Sequence, residues 1–397
     1  GEGGMAAALL TGEQNAIPKD VLQAMRDSGL AHLLSVSGLH LAIVAAFLMA
    51  LIRSLLAAIQ PIALRYPIKK WAAGIALIGT LFYLLLAGQP VTSQRSGVMA
   101  AFVLLAIMVD RAAISMRLVA WAALAVLALA PESMLGASFQ MSFAAVIALV
   151  AAWEAVRPVV RRWREERSQH WPFLVEWAGA YVGGVLLTTL VAGLASSGFG
   201  LYHFNRVALF SVAANLLAVP ITGFWVMPWG MLALALMPFG LEGLALEPMR
   251  WGIAGIIYVA REVASWPGAA ALVPALPAIA LPLLAIGGLW LCLWQRRWRL
   301  LGLVPLLAVA VLAFTTRPPD ILVSADARLF AVRDQGSGHL MLSAPRRDRL
   351  VGDTWMRRLG DDETADWPRE GRSADGSLVC DQAGCILHRS GRTIALV

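Results

Sequence analysis

The chain contains 397 residues, of which 59% are hydrophobic and only 14% are charged. Soluble domains carry about 45–50% apolar and about 25% charged residues, so this composition excludes a soluble globular enzyme, a disordered chain and a disulfide scaffold. Residues 318–397 hold 11 arginines against 12 Asp or Glu, so the net charge of +7 comes entirely from residues 1–317. There, a basic excess can orient a membrane protein, attract anionic lipid or attract an anionic substrate.

Residues 1–34 form a lead-in to the apolar part of the chain. Within it, residues 15–31 predict a short amphipathic helix, because Val21, Leu22 and Met25 form an apolar stripe opposite charged residues. Pro18 suits the first turn of that helix. Since the first residue is Gly1 rather than Met, we expect a fragment or a processed product.

Residues 35–316 predict an all-α polytopic transmembrane domain of about ten helices. Residues 249–264 carry Arg250, Arg261 and Glu262 and predict an interfacial or partly buried helix instead. Basic clusters follow the first, third, fifth and ninth spans, so the positive-inside rule predicts that both termini are extracytoplasmic. The candidate spans are 38–58, 71–88, 96–110, 117–131, 139–157, 173–196, 205–220, 223–238, 276–294 and 300–316.

Residues 317–397 predict a small β-rich domain, because short apolar runs alternate with Gly, Asp and Pro turns. Cys380 and Cys385 lie close together there, and a disulfide is expected if this tail is extracytoplasmic. Half of a zinc site is the alternative, although no second Cys or His pair has the spacing of metal ligands. Cys292 lies in an apolar run, which is typical of a packing residue.

Two polar segments near the first three spans could carry chemistry. In HLLSVSGLHL, Ser37 can cap a helix, and His40 follows inside the first span. A His inside a membrane helix usually faces a cavity or a polar partner, although a capped helix start with His40 at headgroup depth is the alternative. In GQPVTSQRSG, Pro90 is expected to break the helix between two spans. The predicted topology places Arg95 on the outer side of the membrane, where an arginine does not serve to orient the protein. Arg95 either extends towards solvent from an ordinary loop or points into a polar path.

Two later segments repeat this combination of polar groups in apolar surroundings. Gln140 enters an apolar helix with Ser138 and Ser142, where helix packing is the alternative to a polar path. Asn215 lies inside a predicted span that Pro220 is expected to break, and broken helices often line transport sites. The segment YHFNR before it places aromatic side chains next to an arginine, a combination that suits nucleic-acid bases and phosphates. An interfacial aromatic belt with a packing Asn is the alternative.

These segments resemble the sequence signature of the ComEC-type competence proteins, bacterial DNA-internalisation channels. HLLSVSGLHLAIV, GQPVTSQRSGVMA, PESMLGASFQMSFAAV and FNRVALFSVAANLLAVP occur in the order typical of that family, over about residues 5–300. The family typically adds an N-terminal OB-like domain and a C-terminal domain like a metallo-β-lactamase. No counterpart of the first is expected in this sequence. Residues 317–397 resemble at most a remnant of the second, without its metal-binding histidine and aspartate cluster.

The resemblance implies a channel that imports single-stranded DNA across the bacterial inner membrane during natural transformation. It also implies an extracytoplasmic DNA receptor and a cytoplasmic ATP-driven translocase as partners, since the sequence has no Walker-type phosphate loop of its own. Membrane lipid is the remaining partner. No cofactor, no metal and no enzymatic activity are predicted, because the family's nuclease motif is missing.

The DNA path is predicted to be lined sparsely, with hydroxyls, amides and a few cations. Arg95 and Arg206 would meet phosphates near the outer mouth. A small-molecule secondary transporter, and an intramembrane enzyme using His40 and His203, remain as alternatives. The predicted breakers are Pro90 and Pro220, and the candidate path residues are Ser35, Ser37, His40, Gln89, Arg95, Gln140, Ser142, His203, Asn205, Arg206 and Asn215.

Overall fold

The computed structural model describes residues 1–34, 38–87, 91–112, 114–167, 173–316, 318–344, 348–361, 363–389 and 391–396. The chain divides into two compact units. The first comprises Gly1–Phe199, Ala208–Ala270 and Gly288–Leu300, and the second comprises Gly200–Val207, Ala271–Gly287 and Leu301–Val397. The chain is mostly helical and has a small β-rich C-terminal region, as the sequence predicts.

Within the described residues, the helices form where apolar runs contain few helix-breaking residues. Short 3₁₀ turns at Ala31–Leu34, Pro131–Leu135, Met237–Phe239 and Arg297–Gly302 begin or end several of them. The α-helices are α1 (Glu2–Thr11), α2 (Lys19–Asp27), α3 (Gly38–Ala57), α4 (Gln60–Arg65), α5 (Ile68–Leu86), α6 (Val91–Met108), α7 (Met116–Leu129), α8 (Ala137–Arg167), α9 (Phe173–Phe204), α10 (Ser211–Pro220), α11 (Met227–Leu236), α12 (Gly243–Ala264), α13 (Ala280–Leu293), α14 (Leu303–Thr315) and α15 (Arg349–Leu359).

Six helical runs within the described residues are long and apolar enough to cross a membrane, which needs about 20 residues. Three further apolar helices are shorter, so the prediction of about ten spans exceeds what the described helices provide. The number of crossings, and with it the side of each terminus, stays a prediction. The long runs are His40–Ala57, Ile68–Leu86, Ala137–Arg162, Gly179–Phe204, Ser211–Phe239 and Arg297–Thr315, and the shorter ones are Ser93–Met108, Met116–Leu129 and Ala280–Leu293.

Pro220 ends the α-helical part of its run, but the helical run itself continues past it. Helix α10 passes through Pro220 into a π-helical turn at Ile221–Val226 and continues as α11. Proline lacks an N–H and its ring clashes with the carbonyl four residues earlier. A locally widened turn allows the helix to continue past it. The spans predicted at 205–220 and 223–238 therefore belong to one run, preceded by the short strand Arg206–Ala208.

The largest core of the first unit joins the N-terminal helices to α12. Met25 of α2 and Ile253 of α12 are completely buried in it, together with side chains of α1 and α10. The amphipathic lead-in helix and the partly buried helix at 249–264 are thus confirmed, and they cover each other. Arg261 pairs with Asp20 at 2.7 Å, and this lowers the pKa of the Asp20 carboxyl. The pair is exposed, so the apolar contact supplies most of the stability.

Helices α3, α5, α6, α7 and α8 pack as successive neighbours in the first unit. Small residues allow close approach: Ala73 and Ala76 of α5 are fully buried beside Ala45 of α3 and Leu104 of α6. Phe143 of α8 is buried beside Val126 of α7 in the next cluster. Small side chains of this kind are typical of helix interfaces in membranes. This packing brings the starts of α3, α6 and α8 to positions where they can share a site.

The C-terminal region contains two four-stranded sheets that share an apolar core. Val332 and Met341 of one sheet and Leu378 and Leu387 of the other lie in the same buried cluster. In the first sheet, β3, β4 and β5 are antiparallel and β6 pairs with β5 in parallel. The second sheet is antiparallel throughout, in the order β10-β9-β8-β7. The strands are β1 (Arg206–Ala208), β2 (Ala270–Leu272), β3 (Ile321–Val323), β4 (Phe330–Arg333), β5 (Leu340–Leu342), β6 (Thr364–Ala365), β7 (Gly371–Arg372), β8 (Leu378–Cys380), β9 (Cys385–Arg389) and β10 (Arg392–Leu396).

The predicted disulfide is confirmed. Cys380 and Cys385 are bonded, and they are directly opposite each other in the β8–β9 hairpin. The intervening turn is ordered by Asp381, whose side chain accepts hydrogen bonds from two backbone N–H groups. Cys292 is a free thiol on α13. The Cys380–Cys385 bond closes the β8–β9 hairpin of the second sheet, next to its buried core.

Replacing both bonded cysteines, Cys380→Ser with Cys385→Ser, is expected to destabilise the β-rich region by about 2 kcal/mol, the order expected for closing a short loop. Cys292→Ala should leave this transition unchanged. The measurement is thermal unfolding of the purified chain with and without reductant. Thiol labelling of the denatured, unreduced protein should modify one cysteine, and labelling after reduction all three. Three reactive thiols before reduction would contradict the bond.

Gly287 allows α13 and α14 to approach closely within the second unit. A Cβ added there would lie 2.8 Å from the Gly302 carbonyl oxygen and 2.9 Å from a Leu306 side-chain carbon. Because a backbone oxygen cannot move aside cheaply, Gly287→Ala is expected to destabilise the protein by about 1–3 kcal/mol. Thermal unfolding in detergent measures the effect. Gly288→Ala is the matched control, since nothing lies within 4 Å of its Cβ position. Equal unfolding temperatures of the two variants would refute the close approach.

Candidate functional site

The predicted site residues fall into three groups. Ser35, Ser37, Gln89 and Pro90 lie outside the described residues. The first compact unit contains His40, Arg95, Gln140, Ser142 and Asn215, and the second unit contains His203, Asn205 and Arg206.

Three of the predicted motifs come together where α3, α6 and α8 begin. The Nη1 of Arg95 on α6 donates a hydrogen bond of 2.8 Å to the Ser138 hydroxyl at the start of α8. The position that a Cβ would take on Gly38, the first residue of α3, is 3.6 Å from the Ser96 hydroxyl. His40 lies in the first turn of α3. We call Gly38, His40, Ser93, Arg95, Ser96 and Ser138 the helix-start cluster.

Four members of the helix-start cluster, His40, Ser93, Arg95 and Ser96, are buried, whereas Ser138 is half-buried and Gly38 is exposed. His40 and Ser93 are fully inaccessible, and Arg95 is only 7% exposed. Among the described residues, no carboxylate lies within 4.0 Å of the Arg95 guanidinium, and its Nε makes no hydrogen bond. A buried cation without a counter-charge is energetically expensive. The converging helix N-termini add partial positive charge. The cluster is therefore electropositive and suited to attract an anion.

Ser138 accepts a hydrogen bond from Arg95, whereas the predicted residue Gln140 makes a hydrogen bond close to it in sequence. The Gln140 side-chain amide donates to the Met134 carbonyl at 3.0 Å, across the turn that precedes α8. Ser142 lies one turn after Ser138 on the same helix face and is half-buried. Sequence reasoning placed Ser138 beside Gln140 and Ser142 but did not pair it with Arg95, because the two residues are 43 positions apart.

In the second unit, His203 lies in the last turn of α9 and Asn205 directly follows that helix. The rings of Tyr202 and His203 contact edge to face, with centroids 5.1 Å apart. Asn205 adopts a left-handed backbone with φ of 56°, which Asn tolerates better than most residues. Its carbonyl accepts a hydrogen bond from Val273. Its buried side-chain nitrogen finds no acceptor among the described residues. Arg206 begins strand β1.

Asn215 lies on α10, between the start of that helix and the π turn. Its side-chain oxygen is buried and has no donor among the described residues. Gly223 in the π turn faces Ile43 of α3, the helix that also carries His40. An unpaired amide in an apolar interior is costly unless it borders a polar ligand or water.

The polar groups of the C-terminal region stabilise turns. His339 pairs with the buried Asp361 at 2.6 Å. Burial raises the pKa of Asp375, but hydrogen bonds from a backbone N–H and from Ser373 and Ser377 outweigh it, so this pKa is well below its usual range. In the part of the chain that the structure describes, no three His, Cys, Asp or Glu residues are grouped so as to hold a metal ion.

A family model described as Competence protein matches residues 9–298. Competence protein ComA of Neisseria gonorrhoeae is 30% identical over 354 residues, 88% of this chain and 46% of the relative. ComE operon protein 3 of Bacillus subtilis (strain 168) is 26% identical over 226 residues, which cover 57% of this chain and 25% of the relative. Uncharacterized protein YcaI of Escherichia coli (strain K12) is 30% identical over 256 residues, 61% of this chain and 30% of the relative. The chain thus spans less than half the length of these relatives. No solved structure matches it.

Proposed function

We propose that this chain, which belongs to the competence protein family, carries single-stranded DNA across the bacterial inner membrane during natural transformation. Family membership confirms the resemblance predicted from the four motifs. Together with the long apolar helices, it identifies the chain as a membrane protein. The translocated strand and the role of a channel are the parts of the proposal that need testing.

The observation that carries the proposal is the buried Arg95 in the helix-start cluster. A DNA strand carries one negative charge per nucleotide, and hydrocarbon cannot accept it. A usable path needs few cations, since many would hold the strand too tightly to release it. Arg95 would supply the charge for a passing phosphate, and the hydroxyls of Ser96 and Ser138 would supply exchangeable hydrogen bonds.

The end of α9 offers the DNA strand a second contact, through aromatic stacking rather than through a buried charge. Phe204 is 58% exposed and lies between His203 and Asn205. Exposed aromatic rings stack on bases irrespective of sequence, and Arg206 next to them can meet a phosphate. In this proposal the end of α9 guides the strand, and Asn215 contributes an amide to the polar path.

The proposal includes two partners that supply what the chain lacks. An extracytoplasmic DNA receptor would deliver the strand. A cytoplasmic ATP-driven translocase would pull it, because the 397 residues contain no Walker-type phosphate loop. A channel of this kind needs no cofactor. The positive-inside rule orients the chain with both termini on the extracytoplasmic side.

The test uses the bacterium that carries this gene, in its competent state. The gene is deleted, and transformants are counted after adding DNA to the medium and, separately, after electroporation of the same DNA. Loss of transformants only from added DNA would support a role at DNA entry. Expression of the wild-type chain from a second locus is the control, since it should restore the count.

Equal counts from both routes in the deletion strain would refute the proposal. The small-molecule transporter would then become the leading alternative. It predicts uptake coupled to protons or sodium, with no dependence on DNA. An intramembrane enzyme using His40 would instead lose activity on a lipid-linked substrate in a His40→Ala variant.

A further inference from the structure

A compact group of tryptophans and arginines lies at the C-terminal end of helix α13 and directly after it. We call residues 290–299 the Trp-Arg turn; its sequence is WLCLWQRRWR. It contains Arg296, Arg297 and Arg299 within four positions. Residues 263–319 contain no Asp or Glu at all, so no neighbour in sequence can neutralise these arginines. None of the three has a carboxylate within 4.0 Å among the described residues.

The three tryptophans of the turn form one cluster. The ring centroids of Trp294 and Trp298 are 4.2 Å apart, and Trp290 lies 5.6 Å and 5.4 Å from them. The indole N–H of Trp290 donates to the Trp298 carbonyl at 3.2 Å and ties the two ends of the turn together. This fixed backbone presents Arg296 and Arg297 at an open hollow of about 890 Å³, which is lined by residues 293–298.

Exposed aliphatic side chains lie in and next to the turn. Leu293, within the turn, and Leu300, directly after it, are 56% and 55% exposed. Side chains of this kind gain from contact with acyl chains, whereas tryptophan rings prefer the boundary between hydrocarbon and headgroups. The turn therefore combines an apolar flank, an interfacial aromatic cluster and three uncompensated guanidinium groups.

We propose that the Trp-Arg turn binds the phosphate headgroup of an anionic phospholipid. Guanidinium groups match phosphate oxygens in a bidentate manner, and basic groups next to a membrane segment attract anionic lipid. Single-stranded DNA fits this site less well. Trp294 and Trp298 pack against each other, which reduces the ring faces open to bases, and the flanking leucines favour an acyl chain.

The test starts with the wild-type chain in nanodiscs of equimolar phosphatidylglycerol and phosphatidylcholine. The protein is returned to detergent, and the lipids that remain bound are quantified by mass spectrometry. Phosphatidylglycerol is expected to be enriched about tenfold, given the attraction of several basic groups. Equal retention of the two lipids by the wild-type protein would overturn the proposal without any variant.

Variants then locate the site. R296Q/R297Q/R299Q should lose the enrichment, whereas the matched triple R157Q/R161Q/R162Q, which removes the same charge from the exposed part of α8, should keep it. If the first triple fails to fold, as judged by thermal unfolding, the single Arg297→Gln should reduce the enrichment severalfold. The same loss in both triples would overturn the assignment to the turn.

Two competitors distinguish other anions from lipid. Inorganic phosphate should not displace the bound phosphatidylglycerol, because it lacks the acyl chains that meet the exposed leucines. Displacement by phosphate at equal concentration would indicate a site for free anions and would overturn the lipid assignment. Binding of oligothymidylate that is lost in the turn triple, but kept in the α8 triple, would assign the turn to DNA instead.

Discussion

Replacing Arg95 with methionine is expected to reduce transformation from added DNA at least about a hundredfold while leaving the folded protein as stable as the wild type or more stable. The guanidinium is buried and lacks a counter-charge among the described residues, so it weakens the fold. Replacing buried ion pairs by apolar side chains of similar volume is often neutral or stabilising by about 1–4 kcal/mol, and an uncompensated buried charge is itself strongly destabilising. The function, in contrast, needs the charge, because methionine cannot attract a phosphate.

The two readouts are transformant counts and thermal unfolding of the purified variant. Arg111→Met is the matched control, since Arg111 is exposed. It should leave both readouts near wild type. Arg95→Lys keeps the charge but not the bidentate geometry, so an intermediate count is expected. Wild-type uptake by a folded Arg95→Met protein would remove Arg95 from the DNA path.

Replacing Ile253 with alanine is expected to destabilise the first unit by about 2–5 kcal/mol, the range for removing a large buried aliphatic side chain. Ile253 is completely buried on the inner face of α12, in the core that it shares with α2. The loss creates a cavity between α12 and the N-terminal helices. If α12 were only a surface helix resting on lipid, the same substitution would have little effect.

Thermal unfolding in detergent measures this effect. Tyr258→Ala is the matched control on the same helix, because Tyr258 is 68% exposed and lies outside that core. Its effect should stay within about 0.5 kcal/mol. Similar unfolding temperatures for the two variants would contradict the packing of α12 described above.

The sequence predicted those parts of the fold that depend on local patterns. The apolar runs predicted most of the long helices, and the amphipathic stripe of Val21 and Met25 predicted α2. The cysteine pair predicted the disulfide. The π turn that follows Pro220 was not predicted, because a local rule about proline does not account for the neighbouring helices that can favour such a turn. Helix α1, which has almost no amphipathic pattern, was not predicted at all.

The candidate site was predicted as residues but not as an arrangement. Arg95 and His40 were singled out because polar groups are rare inside apolar helices. The contact between Arg95 and Ser138 depends on how α6 and α8 pack, and no local pattern in one sequence specifies this. Gln140 and Ser142 were predicted as path residues and Ser138 was not, yet the Ser138 hydroxyl lies at the start of the helix, within reach of the guanidinium.

The π turn at Ile221–Val226 also affects where related chains can gain or lose a single residue. A π turn takes in one residue more than an α turn, so the segment already accommodates an extra position. Deleting one residue there would return the segment towards α geometry and preserve the direction in which the α11 side chains point. The same deletion in an uninterrupted helix would rotate every later side chain by about 100°, one residue of a 3.6-residue turn. Single-residue length differences between related chains should therefore be tolerated better in this turn than in the helices on either side of it.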